Sequence, residues 1–125
     1  MRGRLLLVDD DAAIREIARL SLERVGGWEV VSAASGSAAI EIVEAGESFD
    51  LVVLDVMMPG IDGPTALRRL RGRLPDNVPV VFLTAKLQPA DRARLTDLGA
   101  AGVIAKPFDP MVLPDEIERI VGARP

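Results

Sequence analysis

The chain has 125 residues, 49% apolar and 27% charged, with a net charge of −4, the size and balance of one globular domain over residues 1–125. It contains neither Cys nor His, which excludes disulfides, thiolate nucleophiles, Cys- or His-ligated metal, and histidine as base or phosphoryl carrier. Three Phe, one Trp, no Tyr and the acidic balance leave no basic or stacking surface for nucleic acid; with no signal peptide or membrane-length apolar run, a cytoplasmic location is expected.

Strands and helices alternate along the chain. Leu5 to Val8 is a short apolar strand that ends in Asp9-Asp10-Asp11. Ile14, Ile17, Ala18, Ser21, Leu22 and Val25 recur at three- and four-residue spacing, which predicts one buried helical stripe, stopped by Gly26-Gly27. Trp28 to Ala33 reads as the second strand. A helix follows from Ser35 or Ser37, with Ala39, Ile42 and Val43 inward and an end near Gly46.

Leu51 to Leu54, four consecutive apolar residues, has the pattern of a strand buried on both faces. It stops at Asp55, and Pro59-Gly60 then turns the chain. Asp62 is the expected cap of a third helix, with Pro64 in its first turn and Leu67, Leu70 and Leu74 inward. Val78 to Leu83 is the fourth strand, with Pro79 near its start, and Thr84-Ala85 ends it. Pro89 opens a helix through Leu98, closed by Gly99. Gly102 to Ala105 is the last strand, ended by Lys106-Pro107. A final helix starts near Val112 or Leu113 and buries Leu113, Ile117, Ile120 and Val121; Gly122 to Pro125 reads as a tail.

Five strand–helix units imply an α/β fold: a parallel sheet, doubly wound, with helices on both faces. Parallel strands bring Asp9, Asp10, Asp55, Thr84 and Lys106 to one sheet edge, where ligands bind in such folds. Two carboxylates at about 4 Å repel by roughly 4 kcal/mol at an effective dielectric of 20. One lysine does not neutralise three, but a hard cation does, and Mg²⁺ suits one or two carboxylates plus waters and phosphate oxygens. A carboxylate beside such an ion, with a hydroxyl and an ammonium near it, can accept a phosphoryl group.

Leu6-Leu7-Val8-Asp9-Asp10, Asp55 to Gly63, Thr84-Ala85 and Lys106-Pro107-Phe108 together resemble the receiver domain of two-component response regulators, of the chemotaxis-regulator type, over essentially the whole chain. The resemblance implies a flavodoxin-like sheet of order 2-1-3-4-5 with five helices. It implies Asp55 as phosphoacceptor, Asp10 as a direct Mg²⁺ ligand (Mn²⁺ also possible), Asp9 as a ligand through water, and the Met57 backbone carbonyl as another. Thr84 and Lys106 would contact the phosphoryl oxygens, with a cis bond between Lys106 and Pro107. The chain would be a signalling acceptor that promotes its own phosphorylation and dephosphorylation, not an enzyme in the ordinary sense.

Taken singly, these residues have plainer readings. Asp11 and Asp62 are helix caps, Thr84 a strand-end hydroxyl satisfying a turn, and Lys106 a solvated cation. Met57 and Met58 are loop or packing residues, and Phe108 packs under the last helix. The site reading wins because the groups converge. One departure stands out: Val103 occupies the position, three before the lysine, where receivers usually carry an aromatic. A readout through the loop after strand four, or through the Lys86 region, is expected instead. Met57 offers no polar group to orient attacking water, which predicts a phosphoryl group lasting minutes or longer.

The chain ends soon after its fifth helix, and Ala101-Gly102-Val103 stands where DNA-binding members often carry an acid-acid-aromatic pattern. A stand-alone receiver, or one freed from a larger assembly, is therefore expected. Its donor would be the phosphohistidine of a histidine kinase or phosphotransfer protein. Its target would be a protein bound by the fourth helix, last strand and fifth helix, with no nucleic acid or membrane partner. An aspartyl phosphatase would want an acid where Met57 stands, and a nucleotide-binding fold would want glycines where Asp9-Asp10-Asp11 stand. A docking module that never takes phosphate needs only the fold, and Val103 favours it slightly.

Overall fold

The structure, a computed structural model, describes residues 3–122; the tail beyond Gly122 lies outside them. In chain order the elements are β1 (Arg4–Val8), α1 (Ala12–Leu20) continued by a π-helical segment (Ser21–Val25), β2 (Glu29–Ala33), α2 (Gly36–Glu44), β3 (Leu51–Asp55), α3 (Gly63–Arg71), β4 (Val80–Thr84), α4 (Pro89–Asp97), β5 (Gly102–Ala105) and α5 (Leu113–Gly122). The strands form one parallel sheet of order β2-β1-β3-β4-β5, a flavodoxin-like arrangement.

Strand alternation divides the core in two. Leu6, Val8, Val52, Leu54, Val80, Phe82 and Val103 face α2, α3 and α4. Leu5, Leu7, Leu51, Val53, Val81, Leu83 and Ile104 face α1 and α5. Because both faces are covered, the central strands must be apolar at every position, which is why β3 reads as an unbroken run rather than an alternation. Each buried Leu or Val contributes roughly 1.5–3 kcal/mol through removal from water.

The helix starts follow their capping residues. The Asp11 carboxylate accepts from the Ala13 and Ile14 amides at 2.9 and 3.1 Å, Ser35 Oγ accepts from Ala38 N at 3.0 Å, and Asp62 accepts from Thr65 N at 2.9 Å. Pro79 precedes β4, where its carbonyl still accepts from Val52 N at 3.0 Å.

Three apolar expectations need correction. In the first helix Ala18, Ser21 and Leu22 are buried, whereas Ile17 and Val25 are 45% and 48% exposed. Ile14 and Ile17 lie against the β5–α5 loop instead of the sheet, lining a cleft with Pro107, Phe108 and Pro110. The π-helical segment then departs from the 3.6-residue repeat on which the stripe was projected. In α2 it is Ile40, with Ala39 and Val43, that is buried; Ile42 is partly covered at the margin of that core. In α5 Leu113 and Ile117 are buried, while Ile120 and Val121 are only partly covered.

Candidate functional site

Register sets the site. Val8 pairs with Leu54 and Asp55 with Leu83, so Asp9, the next residue after Val8, comes level with Asp55. The two carboxylates are almost fully buried, 1% exposed for Asp9 and 4% for Asp55, while Asp10 is exposed at the rim. One carboxylate oxygen from each of the three lies within 4.8 Å of the others. Lys106 reaches in from the end of β5: its Nζ lies 2.7 Å from Asp9 Oδ2 and 3.1 Å from Asp55 Oδ1. The Lys106–Pro107 peptide is cis, as the resemblance implied.

The electrostatics follow from this crowding. Burial first, then the charge of Asp9, push the Asp55 carboxyl up to about 6, against the opposing pull of Lys106. Burial works against the Lys106 charge, but Asp9 and Asp55 outweigh it and the ammonium is held more firmly than usual. Three acids with two of them buried and one cation shared between them form a donor set for a hard cation. Hard oxygen ligands, no nitrogen or sulfur donors and an exposed rim for water fit Mg²⁺.

Asp9 is fixed from every side. Its amide donates to Ala33 O at 3.2 Å, its Oδ1 accepts from Asp11 N at 2.9 Å, and its carbonyl accepts from Arg15 Nη1 at 2.7 Å. Sequence reading did not find Arg15. The available signal was a cation in the first turn of a helix, where the macrodipole disfavours positive charge unless a local partner holds it.

Thr84 is buried at the end of β4, and its hydroxyl is engaged by the backbone of the loop that follows. It donates to Lys86 O at 3.0 Å and accepts from Lys86 N at 3.1 Å. Along its strand Thr84 shares the phase of Val80 and Phe82, which face α2–α4, whereas Asp55 shares that of Leu51 and Val53, which face α1 and α5. Met57 is 65% exposed just beyond Asp55, and Met58 is buried in the core. Phe108 packs on one side against the core that includes Leu113 and Ile117 of α5. Val103 is buried, with its carbonyl accepting from Arg92 Nη1 at 3.4 Å.

Gly63 brings the start of α3 against this site. A Cβ there would stand 2.5 Å from Asp55 O and 2.8 Å from Val56 Cα. Backbone cannot give way as a flexible side chain can, so only glycine allows this approach.

Comparison with known proteins agrees with the geometry. The model of the response regulator receiver domain matches residues 5–118. The chain is 42% identical over 108 residues to the response regulator MprA of Mycobacterium tuberculosis, covering 86% of this chain and 46% of that protein. It is 40% identical over 120 residues to the "Probable transcriptional regulator ycf27" of Cyanophora paradoxa, covering 96% of this chain and 48% of the relative. The chain thus spans about half the length of these curated relatives. Among solved structures, the chemotaxis response regulator CheY4 of Vibrio cholerae superposes with a TM-score of 0.86 at 29% identity, over 96% of this chain and 99% of that one. Fold, acidic pocket and family match agree: the chain belongs to the response regulator receiver domains of two-component signalling.

Proposed function

We propose that this chain is a phosphorylation-dependent switch in which Asp55 accepts a phosphoryl group from the phosphohistidine of a histidine kinase or phosphotransfer protein. The observation that carries the reading is a buried carboxylate 3.1 Å from a lysine ammonium and within 4.8 Å of two further acids. Asp10, Asp55 and the Met57 carbonyl would hold Mg²⁺ directly and Asp9 through water; Mn²⁺ would serve as well. The bound ion supplies positive charge that offsets the charge on the phosphoryl oxygens.

With its pKa near 6, Asp55 is ionised at neutral pH and ready as a nucleophile. Its oxygen attacks phosphorus, the P–N bond to the donor imidazole breaks, and the electron pair leaves with that nitrogen. Lys106 exchanges a carboxylate oxygen for a phosphoryl oxygen. Thr84 has one hydroxyl proton, so it can donate to the new group only by releasing its bond to Lys86 O. That release loosens the loop before α4, which supports a readout through the Lys86 region without an aromatic at position 103. The switched surface would be α4, β5 and α5, and the target a protein, with a gene-regulatory output one candidate given the relative named as a transcriptional regulator.

Residues 1–125 act as one receiver unit in this reading, a cytoplasmic acceptor rather than a turnover enzyme. The exposed Met57 places no polar group by the acyl phosphate, so its lifetime is expected to be minutes or longer; decay within seconds contradicts this. The acceptor is identified by treating the phosphorylated protein with borohydride, which reduces an aspartyl phosphate to homoserine. Peptide mapping is expected to find homoserine at position 55, and its appearance elsewhere overturns the assignment.

A further inference from the structure

We propose that Arg15 is a positioning residue for the acid pair Asp9-Asp10, setting the affinity of the pocket for a divalent cation. The inference rests on the reading of Asp9, Asp10 and Asp55 as the cation's ligands and adds a residue to it. Arg15 Nη1 donates at 2.7 Å to the Asp9 carbonyl, the oxygen of the peptide unit that joins the two acids. That carbonyl lies just past β1, where the ladder no longer supplies a partner, since the last bond there is Asp9 N to Ala33 O. Asp10 itself is exposed and follows directly. Holding the peptide plane from its carbonyl side therefore fixes the direction in which Asp10 leaves the backbone. The Asp11 amide holds the Asp9 carboxylate at 2.9 Å from the other side. Partners that orient ligands from behind typically contribute about 10–100-fold to metal affinity.

Charge and position make opposite predictions here, which gives the test its sign. A guanidinium beside a cation site repels the cation, so by Coulomb's law alone its removal tightens binding. If Arg15 acts by position, its removal weakens binding despite the relief of repulsion. Mg²⁺ titration by calorimetry at pH 7.5 reads this directly, with wild type, Arg15→Gln, Arg15→Lys and Asp10→Asn side by side. Each variant is first checked for a cooperative thermal transition. The expected result is a loss of roughly tenfold for Arg15→Gln. Arg15→Lys, which keeps the charge and a donor, should lose about two- to fivefold, less than the full loss of such a partner. Asp10→Asn should abolish measurable binding. Arg15→Gln binding Mg²⁺ as tightly as wild type, or more tightly, overturns the inference. Should Arg15→Gln not fold, undiminished affinity in Arg15→Lys overturns it instead. Retained binding in Asp10→Asn would strike the underlying ligand assignment, a failure distinct from that of Arg15.

Discussion

At neutral pH the Asp55 carboxylate is ionised inside a buried, acidic surrounding, and that ionisation costs stability. Its carboxyl is raised from 3.8 to about 6, so the folded protein binds this proton more tightly than the unfolded chain does. The sign follows: the cost is absent below pH 3.8, grows between about 4 and 6, and is complete above 6. At 1.36 kcal/mol per unit it amounts to something on the order of 2–3 kcal/mol. Asp55→Asn should therefore unfold at a higher temperature than wild type at pH 7.5 without metal, and the difference should shrink toward pH 4. Equal transition temperatures across that range would contradict the buried-charge account. Lys106→Met should act in the opposite sense, leaving two buried carboxylates without their cation, a loss of about 3 kcal/mol. Asp9, Asp10, Asp55 and Lys106 were legible in the sequence because each stands at the end of a strand and parallel strands end at one edge. For Thr84 the plainer reading, a strand-end hydroxyl satisfying a turn, describes its bonds to Lys86, while that partner itself was not legible because it depends on the conformation of the loop.

Among the elements, the β3–α3 connection is tightly constrained. Gly63→Ala drives a methyl group into the backbone of Asp55 and Val56, and a cost of about 1–3 kcal/mol is expected. Thermal unfolding measures it, and a shift of under a degree would show that α3 stands off further than described. The first helix has a different role. Its exposed Ile17, with Ile14, Pro107, Phe108 and Pro110, lines an apolar cleft that Lys106 also borders, so a protein bringing a phosphoryl group to Asp55 would seat beside it. Ile17→Glu is expected to slow transfer from a protein donor about tenfold or more, a hot-spot loss of about 1.4 kcal/mol, while leaving acetyl phosphate labelling unchanged. Equal slowing with both donors would place the defect in the pocket instead. Periodicity found this helix but misjudged its outer half, because apolar spacing marks a stripe without saying whether sheet, loop or another protein covers it.

For the molecule as a whole, alternating strands and helices were enough to expect a parallel sheet covered on both faces. The order β2-β1-β3-β4-β5 was not contained in that pattern; it is a choice among crossovers, and the family resemblance supplied it. The sheet edge joins pocket and fold thermodynamically: a cation that binds only the folded chain stabilises all of it, by about 2.7 kcal/mol at one hundred times its dissociation constant. Excess Mg²⁺ should raise the unfolding temperature by several degrees, and a chelator should reverse this. The central claim, that Asp55 is the phosphoacceptor of a metal-dependent switch, is tested most directly by intact mass after incubation with acetyl phosphate. Wild type with Mg²⁺ should gain one phosphoryl group, and neither Asp55→Asn nor the chelated protein should gain any. A folded, Mg²⁺-bound wild type that takes no phosphoryl group from any donor would contradict the account and leave a phosphorylation-independent docking module in its place.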